Sequence, residues 1–112
     1  MPKKTAANIE ASSGNVYADL GLPDADEMLI KSQLAGKIGE IIRTRKWTQQ
    51  EAAEVLGMTQ PKLSRMLRGQ FHGISKSKLL DYLAKLGRDV KIVVSPARRS
   101  RKPGRVEVVF SA

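Results

Sequence analysis

Gln60, Lys62, Ser64, Arg65 and Arg68 are side chains whose chemistry suits a nucleic-acid duplex. A guanidinium can donate two parallel hydrogen bonds to guanine, and a carboxamide can pair with the edge of adenine. Ammonium, guanidinium and hydroxyl groups can also hold phosphate. These residues are interleaved with Leu63, Met66 and Leu67, which recur at helical spacing. One helix would therefore turn the apolar three inward and leave the polar set outside. Thr59 stands where an N-cap belongs, and Pro61 falls in the first turn, where its missing N–H costs nothing. Gly69 closes the pattern.

A helix that presents such a face must be held by another. Thr48-Gln49-Gln50-Glu51 supplies a capping box, in which hydroxyl and carboxylate each satisfy one free backbone N–H. Ala52, Ala53, Val55 and Leu56 give this preceding helix an inward face, and Ala53 is small enough for close crossing. Gly57 follows, suited to the left-handed conformation at a helix end, and Met58 can plug the crease. The stretch from Trp47 to Gly69 thus predicts two short helices joined by a tight turn. That is the design of a helix-turn-helix, in which one helix braces and the next enters the major groove.

The flanking chain completes a small bundle. Asp24 and Glu27 form another capping pair, opening a long helix to about Arg45 with an apolar stripe of Ile30, Leu34, Ile38, Ile41 and Ile42. Gly36 and Gly39 each cost such a helix roughly 1 kcal/mol relative to Ala. Either another helix crosses closely there or the helix bends. Arg43, Arg45 and Lys46 suit the negative end of the helix dipole and equally suit phosphate. Trp47 is placed for packing rather than for stacking on a base. Ser75 can cap a further helix running to Leu86, with Ile74 and Leu79 as a hydrophobic staple and Leu79, Leu80, Leu83 and Leu86 as its inner face. Gly87 ends it.

Residues 90–94 are β-branched and alternate, which predicts a strand. Residues 106–110 alternate too and form a second possible strand. The loop between carries Arg98, Arg99, Arg101, Lys102 and Arg105, and it can lie along a duplex or hang free. A strand needs a partner for its backbone groups. The partner can be the second segment of the same chain, in a hairpin, or the same strand of a second copy, in an isologous dimer. Both can coexist, and pairing between copies is expected somewhere in this sheet.

Composition narrows the function classes. The 112 residues suffice for one domain with a modest core. There is no cysteine and a single histidine, His72, so disulfides, a thiol nucleophile and a zinc site are not expected. No cofactor or metal is expected. No apolar run is long enough for a membrane span, and the N-terminus lacks the apolar stretch of a secretory signal. A cytoplasmic protein is expected. The net charge of +9 is unevenly placed, −3 over residues 1–30 and +12 over residues 31–112. A basic body suggests a polyanion partner, although a solvated basic surface is the plainer reading. The expected organisation is a flexible leader over 1–22, a helix-turn-helix domain with a dimerisation strand over 23–95, and a basic loop with a possible second strand over 96–112.

The segment resembles the phage-repressor-like helix-turn-helix domains, the Xre or Cro-type family. The resemblance rests on Thr48-Gln49-Gln50-Glu51, Ala53, Gly57, Thr59-Gln60, Leu63, Met66 and Gly69, and extends more loosely over about 25–95. It implies a mainly α fold, a lambda-repressor-like bundle followed here by a short strand or hairpin. It also implies that Gln49 braces a phosphate and Gln60. The following Gly87-Arg88-Asp89-Val90-Lys91-Ile92-Val93-Val94 is similar to the HigA-type antitoxins and their stand-alone relatives. Such proteins often neutralise a small ribonuclease toxin and repress their own operon. Pro61 departs from the family, because many relatives carry a polar base reader there. Proline offers only apolar contact, as to a thymine methyl.

The expected function is that of a homodimeric, sequence-specific DNA-binding repressor acting on an operator. Arg65 and Gln60 would read bases, while Gln49, Thr59, Lys62, Ser64 and Arg68 would contact phosphate or flanking edges, with Pro61 between them. The alternative is a protein-interaction module that neutralises a toxin without significant operator binding. Helix pairs with Ala and Gly at these positions also occur in proteins that never touch DNA. Catalysis is not expected: Ser64, Ser75 and Ser77 lie near lysines, but such pairs on helices are usually caps or solvated.

Overall fold

Four helices follow one another along the chain, α1 (Ala25–Thr44), α2 (Gln49–Leu56), α3 (Gln60–Leu67) and α4 (Lys76–Lys85). They are seen in a computed structural model that describes residues 25–97, 99 and 102–111. The expected leader, the Asp24 cap, and Arg98 and Arg101 of the basic loop lie outside the described residues.

The long first helix is the spine. Ile30, Leu34, Ile38, Ile41 and Ile42 recur along one face and all are buried, together with Ala35 and Gly39. α4 packs along this face and α3 crosses it, while α2 packs on α3 and α4. The centre of the core is Ile38, Leu56, Leu63, Met66, Leu79, Tyr82 and Leu86, drawn from all four helices and the residue that caps the last. Each such side chain, taken fully out of water, stabilises the fold by about 1.5–3 kcal/mol. Ile74 and Leu79 are both buried, so the staple ahead of α4 is in place. Tyr82 is a core residue that the aliphatic stripe of α4 did not include.

The two glycines of α1 have different causes. A Cβ on Gly39 would stand 3.3 Å from Leu67 Cδ2 and 3.4 Å from Arg43 Nη1, so α3 does press on α1 at that point. A Cβ on Gly36 would meet nothing within 4 Å among the described residues, and none of them accounts for that glycine. α1 ends with the Trp47 N–H donating to the Ile42 carbonyl at 3.2 Å, across Lys46 at φ +57°. That left-handed conformation costs a non-glycine residue roughly 1–2 kcal/mol. Arg45 is then drawn into the structure: it lies over the Trp47 ring, 4.9 Å from its centroid, and Nη2 donates to the Leu86 carbonyl at 2.6 Å. Trp47 itself packs half-buried against the core. Arg45 therefore ties the end of α1 to the end of α4.

One expectation is corrected and another is not confirmed. Val55 is 42% exposed rather than inward. In a helix of eight residues the buried face narrows to Ala52, Ala53 and Leu56, and Val55 falls beside it. The expected C-terminal strands are not confirmed. Among the described residues there is no strand, and residues 90–94 and 106–110 make no ladder with each other. A strand requires a second backbone to accept its hydrogen bonds, and neither segment has one among the described residues.

Candidate nucleic-acid interface

The interface is built from caps outward. Glu51 N–H donates to Thr48 Oγ1 at 3.1 Å, and Thr48 N–H donates to Glu51 Oε1 at 2.8 Å, so the capping box is complete and α2 begins at Gln49. Gln49 is exposed there, in the first turn. The free N–H groups of that turn and the positive end of the helix dipole favour an anion beside it.

The turn between the two short helices is fixed from two sides. Gly57 adopts φ +72°, ψ 36°, and Met58 N–H donates back to the Ala53 carbonyl at 3.0 Å. From α4, Lys85 Nζ donates to the Leu56 carbonyl at 3.2 Å. This ammonium sits at the negative end of the α2 dipole and satisfies a carbonyl the helix cannot. Sequence reasoning missed Lys85. Its only signal was a basic residue in the last turn of α4, which usually serves its own helix.

α3 then starts on Thr59, whose Oγ1 accepts from Lys62 N–H at 3.3 Å, with Pro61 in the first turn. Leu63 and Met66 are fully buried, and Leu67 is half-buried against Gly39. Because those three face inward, i, i+3 and i+4 spacing sets Pro61, Ser64, Arg65 and Arg68 on the opposite side. Gln60, Pro61, Arg65 and Arg68 are exposed, while Lys62 and Ser64 are half-exposed on its flanks. Pro61, Ser64, Arg65 and Arg68 thus share the outer side of α3, Gln60 and Lys62 flank it at the N-terminal end, and Gln49 stands on α2. The Thr59 hydroxyl is engaged as a cap acceptor, but its proton remains available to a phosphate oxygen.

The charge of the surrounding sequence suits an anionic partner. Residues 55–80 hold five Lys and Arg and no Asp or Glu, a run that spans the turn, α3, the following loop and the start of α4. The last part adds Lys76 and Lys78 near the N-terminus of α4, where Ser75 Oγ accepts from Lys78 N–H at 3.1 Å. Lys76 lies 3.6 Å from Glu27 of α1, so part of its charge is already met. Arg45, read with equal weight as a phosphate ligand or a structural group, is committed to Leu86 and Trp47. Among the described residues no cluster of His, Asp or Glu is arranged to hold a metal, and no helix is long and apolar enough to cross a membrane.

Comparison with known proteins agrees with this geometry. A family model described as a helix-turn-helix domain matches residues 16–95. A solved structure described as an XRE-family transcriptional regulator is 36% identical, with a TM-score of 0.73, covering 80% of this chain and 100% of its own. No curated protein matches.

Proposed function

Because this chain belongs to the helix-turn-helix domain family and has the fold of an XRE-type DNA-binding transcriptional regulator, we propose that it is a sequence-specific repressor that binds its operator as a homodimer. The observation that carries this is the outer surface of α3. Arg65 and Gln60 project from a helix whose other face is locked into the core, and no carboxylate lies between residues 55 and 80 to repel phosphate. Arg65 reads guanine and Gln60 adenine, each by a bidentate pair. Pro61 gives apolar contact, to a thymine methyl. Gln49, Thr59, Lys62, Ser64 and Arg68 hold phosphate and fix the orientation of the helix.

Footprinting on the DNA upstream of the chain's own reading frame tests this. Protection is expected over two half-sites whose centres lie about 10 bp apart, or a multiple of it. Equal affinity for that fragment and for random duplex, with no protected half-sites, would leave only the interaction-module reading.

The finer proposal is that this repressor is the cytoplasmic antitoxin of a toxin–antitoxin pair and represses its own operon. Its support is the resemblance through Gly87-Arg88-Asp89 and the acidic residues from Glu10 to Glu27, which would face a small basic ribonuclease toxin. Co-expression with the neighbouring small reading frame tests it. That frame should arrest growth by itself, and the full chain should restore growth. Deletion of residues 1–22 should weaken the rescue and leave operator binding intact. A harmless neighbour would end the antitoxin reading.

A further inference from the structure

The chain after α4 is unusually rich in apolar side chains open to water. Ile92, Val93 and Val94 are 81%, 83% and 89% exposed, and Val106 and Val109 are 73% and 85% exposed. Such a density of exposed β-branched residues marks a surface that another backbone covers. The far end of this arm is already seated. Val108 is half-buried against the core, and Phe110 lies against α1 with Lys37 Nζ 5.4 Å from its ring centroid. Glu107 and Val109 face outward. Residues 106–110 therefore alternate as a strand does, with a face docked on the body and no ladder partner among the described residues.

We infer that the ladder partner is residues 90–94 of a second copy, running antiparallel, with Lys91 of one copy opposite Glu107 of the other. The inference rests on the dimeric reading above and gives that dimer its interface. Charge sets the register, because Lys91 is the sole charged residue in 90–94 and Glu107 the sole one in 106–110. Setting them opposite places Val90 against Val108 and Ile92 against Val106. One face of the ladder is then wholly apolar, made of Val90, Ile92, Val94, Val106 and Val108, and it continues the contact Val108 already makes with the core. The other face carries Lys91 and Glu107 to the solvent, together with Val93 and Val109. A slip of one residue would turn Lys91 onto the apolar side, so the register is specified by burial as well as by charge. Two-fold symmetry repeats the ladder, so each copy gives one segment and receives the other. Main-chain hydrogen bonds supply affinity, and the charge pair supplies the partner choice.

The test is sedimentation of the full chain without DNA, at low salt, as wild type and as the charge reversals Lys91→Glu and Glu107→Lys. Wild type is expected to be a dimer. Each reversal alone sets like charges opposite at both ladders and should raise the dimer dissociation constant about tenfold. Mixing the two reversed chains restores opposite charges at both ladders, so the heterodimer should regain wild-type affinity. Circular dichroism and thermal melting of each variant confirm that the helical bundle is intact. Reversals that weaken the dimer but are not restored by mixing would overturn the exchange. Reversals without effect would overturn the register and leave the dimer itself standing. A wild-type chain that stays monomeric would overturn the dimeric reading together with the exchange.

Discussion

Lys85 of α4 donates from Nζ to the Leu56 carbonyl, 3.2 Å away, and so holds the last turn of α2 at the point where the chain turns toward α3. An ammonium on the far helix thereby braces the turn that leads into α3. Lys85→Met keeps the apolar stem and loses the donor. It should destabilise the fold by roughly 1 kcal/mol, read as a lower urea midpoint with unchanged m. Gly57→Ala should cost more, about 1–2 kcal/mol, because its φ of +72° strains a residue with a Cβ, which would also stand 3.3 Å from Lys85 Nζ. If Lys85→Met leaves the midpoint unchanged, the bond contributes nothing to holding the turn.

The glycines of α1 separate helix propensity from packing. Gly36→Ala meets open space and should stabilise by roughly 1 kcal/mol. Gly39→Ala gains the same propensity but must displace Leu67, so its net gain should be smaller or negative. Thermal or urea unfolding of the two variants gives the comparison. Equal stabilisation would show that α3 does not press on α1 at Gly39.

Much of this was legible in the sequence, and for identifiable reasons. The capping box at Thr48 and Glu51, the cap at Thr59 and the stripe from Ile30 to Ile42 are local signals, and each is present as expected. Local signals cannot report which distant group meets a helix end. Lys85 on Leu56 and Arg45 on Leu86 depend on how α4 lies against α1 and α2, so neither was foreseen in that role. Val55 was misread because a short helix buries a narrower face than its apolar count suggests. Tyr82 was passed over because its hydroxyl disguised a ring that is buried in the core. Residues 90–94 and 106–110 were expected as strands, but a β-branched pattern does not name the backbone that completes a ladder.

Tyr82 gives the fold an alkaline limit. Burial raises its phenol above the ordinary 10.0, and the neighbouring Asp81 raises it further. A raised value in the folded state means that the neutral phenol is favoured there. Its contribution is fully present below pH 10 and is lost as pH rises through the folded value. The urea midpoint should therefore fall above pH 10, and Tyr82→Phe should flatten that decline. Lysine deprotonation acts alike on both chains. The same slope in both would assign the alkaline loss to other groups.

The outer face of α3 is the centre of the functional reading, and Arg65 is the residue on which it turns. The most direct measurement is the affinity of wild type and Arg65→Ala for the footprinted operator and for a random duplex of equal length, at one salt concentration. On the operator the substitution should cost roughly 1–3 kcal/mol, and on random duplex clearly less. Arg68→Ala is the control: it should weaken both duplexes alike and lower the salt dependence of log affinity by about 0.9. An equal loss on operator and random duplex for Arg65→Ala would contradict base reading by Arg65 and leave it as a phosphate contact.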